Sequence, residues 1–106
     1  YRRFNMNEGT LMRAIMLALA ESGHMVFRAN VGSFQMADGR WFDCGLPKGF
    51  SDLFGFTSDG RPFFIEVKAP TGRVRPEQRL FIDAMRAKGA VAGIARSVED
   101  ALLLTA

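Results

Sequence analysis

The sequence predicts an α/β fold, a central β-sheet flanked by α-helices, on three observations. Its segments run in the order helix, several strands, helix, strand, helix. Two of the strands form a hairpin that is apolar on both faces, as strands in the middle of a covered sheet are. The chain has 106 residues, 48% of them hydrophobic and 24% charged, which suits one domain (residues 1–106) around a single core.

The first helix is predicted from Asn5 to Glu21, with Asn5 as N-cap, Glu8 three residues later, and an apolar stripe of Leu11, Ile15 and Leu19; Gly23 ends it. Met25 to Val31 has the β-branched and aromatic content of a strand, and a short extended piece around Arg40 to Phe42 follows the Asp38-Gly39 turn. Gly45 to Gly49, with Pro47 inside, is a loop. The hairpin follows, with strands at 52–57 and 62–68. Ala69 to Arg75 is a basic, glycine-containing loop, and Pro76 suits the first position of a second helix that runs to about Lys88 and stops at Gly89. Ala90 to Ala95 is a short buried strand, and Ser97 caps a last helix to about Leu104, with Asp100 at the capping-box spacing.

The hairpin carries the chemistry. Ser58-Asp59-Gly60 reads as a three-residue loop, a type I turn closed by glycine in the left-handed region. That register pairs Thr57 with Arg61 and sets Asp52 opposite Glu66. A two-residue Asp59-Gly60 loop would instead shift the register by one and turn Asp52 to the other face. In the first register Asp52, Glu66 and Lys68 meet, and such charges rarely sit in apolar strands without a partner or a metal. One divalent cation can bridge the two carboxylates, with the Val67 carbonyl nearby; this all-oxygen set suits Mg²⁺ or Mn²⁺. The competing account is a surface ion pair between Glu66 and an arginine on an edge strand, which the neighbours Phe54, Phe63, Phe64, Ile65 and Val67 argue against.

These residues resemble the PD-(D/E)XK nuclease signature, with Ser51-Asp52 in place of Pro-Asp and Glu66-Val67-Lys68 as its second element. The segments RANVG (28–32), GLPKGFSDLFG (45–55), IEVKAPTGRVRPEQRLF (65–81) and GAVAGIARSVEDA (89–101) resemble one branch of that superfamily, the VRR-Nuc (virus-type replication-repair nuclease) domains, in the short stand-alone form found in phages. The resemblance implies a restriction-endonuclease-like core with a mixed sheet. It also implies Mg²⁺-dependent hydrolysis of DNA phosphodiesters to a 3′-hydroxyl and a 5′-phosphate, and a homodimer that resolves Holliday junctions. It further implies a first-helix glutamate that contributes to the metal site directly or through water, for which Glu8 is the candidate, and a glutamine in the helix after the EVK strand, for which Gln78 is.

Lys68 would lie beside the metal, where an ammonium favours hydroxide over water and stabilises the phosphorane; alone, it would read as a snorkelling strand-end lysine. Glu8 has two readings, a capping-box partner of Asn5 and a carboxylate facing the sheet. Gln78 shares a helical face with Phe81, Ile82 and Met85, so its amide needs partners, which Lys68, a phosphate oxygen or a metal-bound water would supply. Lys48, Arg73, Arg75 and Arg79 flank the site and are candidates to grip DNA phosphates, though each taken singly reads as a solvated charge. The net charge of +3 is compatible with a polyanionic partner.

Cys44 is the single cysteine, so no intrachain disulfide forms, and it reads as a small, partly buried apolar residue in a reducing cytoplasm, that of a bacterial host or phage-infected cell. One His and one Cys leave no set for structural zinc, and His24 has no visible catalytic partner. Neither a membrane span nor a secretory signal is read in the sequence. Phe34, Trp41 and Phe42 read equally well as dimer surface or as core. Two rivals to junction resolution remain: a nuclease for flapped, nicked or restriction-type duplex DNA, and a nucleic-acid-binding module without catalysis. The Asp52, Glu66 and Lys68 set counts against the second, because a binding module has no need to bury it.

Overall fold

A computed structural model describes residues 7–30, 33–43 and 45–106, the side chain of Phe34 excepted, and among these described residues there are six strands and three helices. In chain order they are α1 (Glu8–Glu21), β1 (Met25–Arg28), β2 (Ser33–Gln35), β3 (Trp41–Asp43), β4 (Leu53–Phe56), β5 (Pro62–Val67), α2 (Pro76–Ala87), β6 (Val91–Ala95) and α3 (Val98–Thr105). The main sheet has the order β1-β4-β5-β6. The first two pairings are antiparallel and β5 with β6 is parallel, so the sheet is mixed and α2 is the crossover between its parallel strands.

Alternation along the strands sorts the two faces. Leu53, Phe63, Ile65, Val67 and Ala95 point to one side and form the core with Leu11, Met12, Ile15 and Leu19 of α1 and Ala101 of α3. Leu17, on the same helix as Ile15, stays 63% exposed because it falls outside that stripe. On the other side Phe50, Phe54, Phe64 and Phe81 stack edge-on or tilted, with Phe50 and Phe81 at a centroid distance of 4.7 Å. This second layer is narrower than expected. α2 packs on β5 and β6, and Met25, Phe27 and Phe56 at the β1 end of the same face remain exposed.

The hairpin register is the one that the three-residue loop requires. Leu53 pairs with Ile65 and Phe56 with Pro62, the Thr57 amide donates to the Arg61 carbonyl, and Gly60 takes φ 88° at the closing position. The turn is reinforced by its own side chains. The Thr57 hydroxyl bonds the Asp59 carboxylate, and Thr57 and Arg61 together hold that carboxyl below the usual carboxylate range.

The structure differs from the sequence reading at several points. α1 starts at Glu8 with Asn7 as N-cap, its side chain accepting from the Thr10 amide at 2.8 Å; Asn5 lies outside the described residues. Two asparagines compete for the cap, and the one adjoining the first buried turn prevails, which moves Glu8 from the third helical position to the first. β1 ends at Arg28, before the expected Val31, itself outside the described residues as are Gly32 and Cys44. The piece at Trp41 does not join the main sheet: it pairs with β2, which the sequence reading did not contain, in a separate two-stranded ribbon. Trp41 and Phe42 are exposed there at 70% and 54%, so they are not core. α3 begins as expected at Ser97, whose side chain accepts from the Asp100 amide, but the Asp100 carboxylate reaches past Ser97 to the Arg96 amide at 2.9 Å. Among the described residues no helix is long and apolar enough to cross a membrane.

The facing of α1 sets a direct test. Ile15→Ala, at a site with no exposed surface, is expected to cost about 3 kcal/mol of unfolding free energy in urea titration, whereas Leu17→Ala should cost less than about 0.5 kcal/mol.

Candidate active site

Asp52 and Glu66 stand opposite each other where β4 and β5 leave the turn-proximal ladder, both on the α2 face of the sheet. Each carboxylate accepts a backbone amide from the other strand. The Asp52 amide donates to Glu66 Oε1 at 3.2 Å, and the Val67 amide donates to Asp52 Oδ2 at 2.9 Å. The two side chains therefore take the place of ladder bonds and are fixed by the backbone itself. Just before them Ser51, fully buried, donates its hydroxyl to the Leu53 carbonyl at 2.9 Å, a local tie at the position where the signature has proline.

Glu66 is 2% exposed and holds two more neighbours. Gln78 Nε2 donates to Glu66 Oε2 at 2.8 Å, and Lys68 Nζ lies 3.5 Å from the same oxygen. Gln78 also accepts the Arg75 amide through Oε1 at 3.0 Å, so it caps the first turn of α2 with one end and binds Glu66 with the other. Only one orientation of the amide satisfies both partners. The expected partners for Gln78 were Lys68, a phosphate or a bound water; the partner found is the Glu66 carboxylate, because parity puts it on the α2 face. No buried side-chain nitrogen or oxygen among the described residues lacks a hydrogen-bond partner.

Burial pushes the Glu66 carboxyl up to about 7, the negative charge of Asp52 adds to the rise, and the Lys68 ammonium opposes it. Two carboxylates forced together with one lysine are short of positive charge. A divalent cation relieves that shortage, and two carboxylates with remaining positions for water match the few protein ligands that Mg²⁺ takes. No third acid joins them: among the described residues no group of three His, Cys, Asp or Glu side chains converges as a metal-holding cluster.

Asp52 borders a cleft of about 590 Å³ that is walled also by Gln78, by Lys48, Gly49 and Phe50 of the preceding loop, by Arg75 and Glu77 at the start of α2, and by Ala29, Ser33, Asp43 and Leu46. Glu66 and Lys68 do not line it; they sit behind Asp52 and Gln78. Gly49 closes the loop against α2. Its φ is +91°, and a Cβ there would stand 2.4 Å from the Glu77 carbonyl oxygen, so only glycine lets the loop touch the first turn that carries Gln78.

The VRR-NUC domain family model matches residues 11–99. The chain belongs to the VRR-NUC domain family. A solved structure described as a VRR_NUC domain aligns with a TM-score of 0.67 at 21% identity, covering 93% of this chain and 94% of that one; at this identity the likeness speaks for the fold. No curated protein matches the chain. The VRR-NUC assignment makes the chain a nuclease of the PD-(D/E)XK type.

In this VRR-NUC domain the structure gathers Asp52, Glu66, Lys68 and Gln78, with the Val67 amide, at one point. It does not gather Glu8, which is exposed at the first position of α1 and forms no cluster with the two acids. Of the four basic candidates, Lys48 and Arg75 line the cleft. Arg73 and Arg79 are exposed and do not line it, and Arg79 lies 3.9 Å from Asp83 on its own helix. Asp43 and Glu77 are cleft residues that the sequence reading did not single out. Asp43 ends an extended piece that the sequence showed only as far as Phe42, without its β2 partner, and Glu77 was readable only as the neighbour of Gln78.

Glu66 ties stability to pH. Its carboxyl binds a proton more tightly in the folded chain than in the unfolded one, where it titrates near 4.5. The metal-free protein should lose stability as pH rises from about 4.5 to about 7, by up to roughly 3 kcal/mol, with no further contribution above that window. Urea titrations in EDTA across this range check it, and Glu66→Gln is expected to flatten the slope. Gly49→Ala is expected to destabilise by about 2 kcal/mol or more in the same assay, since the backbone strain and the Glu77 clash add.

Proposed function

We propose that this VRR-NUC domain is a divalent-metal-dependent endonuclease for branched DNA, acting as a homodimer. The observation that carries the catalytic part is the interlocked Asp52 and Glu66 pair, buried beside Lys68 at the back of an open cleft. In this reading the two carboxylates hold Mg²⁺ or Mn²⁺. The Val67 carbonyl takes part as well, since in an extended strand it points to the same side as the Val67 amide that meets Asp52. The cation, when bound, supplies Lewis acidity toward a phosphodiester and an acidified water.

The protein groups do the rest. Asp52 and Gln78, on the cleft wall, meet the scissile phosphate and its water. Lys68 stabilises the nucleophile and the charge that develops on the phosphorus oxygens. Gln78 holds the Glu66 carboxylate in place through Oε2. Glu8 contributes only through water, because it is not gathered with the acids. Lys48 and Arg75, in the cleft, position the DNA backbone, and Arg73 and Arg79 add charge along the flanking surface, in keeping with a net charge of +3.

Junction selectivity and dimerisation rest on the resemblance, and symmetric cutting of a four-way junction asks for two paired sites. The exposed Trp41 and Phe42 on the β2–β3 ribbon support a subunit contact.

Cleavage of an end-labelled four-way junction in Mg²⁺, Mn²⁺ or EDTA, beside duplex, flap, nicked and single-stranded controls, tests the reading. Metal-dependent symmetric incisions confined to the junction are expected; cutting of the other forms would remove the junction claim, and tight binding without cutting would remove the nuclease claim. Lys68→Met and Asp52→Asn should lower kcat by about 10² to 10³-fold, and Glu8→Gln by less. Mn²⁺ should raise the Tm of the wild type and leave that of Glu66→Ala unchanged.

A further inference from the structure

Arg96 directly follows β6 and stands beside Lys68, since β5 and β6 run parallel with Val67 against Ala95 and the Lys68 amide donates to the Ala95 carbonyl. Its backbone is pinned from the α3 side, the Arg96 amide donating to Asp100 Oδ2 at 2.9 Å. Its guanidinium reaches back over the end of β5. Nη1 donates to the carbonyls of Ala69 at 2.8 Å, Gly72 at 2.8 Å and Pro70 at 3.3 Å. Three carbonyl oxygens turned toward one spot repel one another, and a fixed cation is what allows the turn to close with the Gly72 amide on the Ala69 carbonyl at 2.8 Å.

That turn lies on Lys68. A Cβ at Gly72 would be 3.5 Å from Lys68 Cδ, so the bare glycine backbone rests against the lysine stem. Lys68 is 8% exposed although its side chain is long and flexible, and its Nζ is held near Glu66. The far end of the same loop is anchored separately, through the Arg75 amide on Gln78 Oε1.

We propose that Arg96 is a positioning residue for Lys68: by clasping the Ala69, Pro70 and Gly72 carbonyls it holds the turn that keeps the lysine stem buried and its ammonium beside Glu66. The proposal rests on the nuclease reading of Lys68 for its catalytic consequence, but not for its structural one. Because Arg75 and Gln78 have their own anchor, loosening this turn changes the lysine and leaves the DNA-gripping end of the loop in place.

The test uses Arg96→Met, which keeps an apolar stem and removes the donors, and Arg96→Lys, which restores a cation. Trace acetylation of Lys68, read by peptide mass spectrometry against the exposed Lys48 and Lys88, should rise about fivefold or more in Arg96→Met and return toward wild type in Arg96→Lys. In the cleavage assay Arg96→Met should lower kcat about tenfold with KM within about threefold, Arg96→Lys should recover most of the loss, and Arg96→Met added to Lys68→Met should cost nothing further. Unchanged Lys68 labelling in Arg96→Met overturns the proposal whether or not the protein cuts DNA. An active wild type whose kcat survives Arg96→Met, or an additive loss in the double variant, also overturns it. A wild type that cuts no DNA sinks the nuclease reading alone, and the labelling then decides whether Arg96 holds the lysine.

Discussion

Everything at the site depends on the reciprocal bonding of Asp52 and Glu66 across the β4–β5 pair, where each carboxylate takes an amide from the opposite strand. The arrangement makes the backbone a clamp for two acids that would otherwise repel. It also couples catalysis to topology. A slip of one residue in this hairpin would turn Asp52 to the α1 and α3 side, into the packing of Leu53, Ile65 and Val67, and part it from Glu66. The three-residue turn that ends at Gly60 prevents the slip, and Thr57, Asp59 and Arg61 bond one another around it. The turn thus fixes the geometry of the acid pair from a distance.

The two sides of the sheet divide the labour. The α1 and α3 side is apolar and closed, and carries the largest fully buried side chains, Phe63 and Ile15 among them. The α2 side is aromatic beneath Phe81 and polar beneath Gln78, so that one helix both covers the sheet and delivers a hydrogen-bond donor to Glu66. Glu66 is costly to keep there. Its raised pKa reflects that cost, to which burial and the Asp52 charge both contribute, and the Lys68 ammonium opposes the rise without removing it. That shortage of positive charge in the folded chain is what the proposed divalent cation would offset.

The loops around the cleft hold together by contacts that each use loop backbone, met either by other backbone or by the Gln78 and Arg96 side chains. Gly49 touches the carbonyl of Glu77, the amide of Arg75 meets Gln78, and the carbonyls of Ala69, Pro70 and Gly72 meet Arg96. Such contacts tolerate change in the exposed residues of the same loops, among them Lys48, Arg73 and Arg79.

By itself the sequence determined the helices, the central hairpin and the candidate acid pair, because these follow from local rules of alternation, capping and turn chemistry; the choice between a two-residue and a three-residue turn, both of which suit glycine at position 60, was decided by the structure. It determined the nuclease family as well, through motifs spread along the chain. Competition between near-equal local signals was not legible, as with Asn5 and Asn7 for the α1 cap, which decided where Glu8 lies. Nor were pairings between segments: that Trp41 joins Ser33–Gln35 rather than the main sheet, that Gln78 finds Glu66, and that Arg96 reaches the turn after Lys68. Those contacts depend on which strand lies beside which, and on the crossover through α2 that sets β6 parallel to β5. Only the assembled sheet brings residues so far apart in the chain within hydrogen-bonding distance.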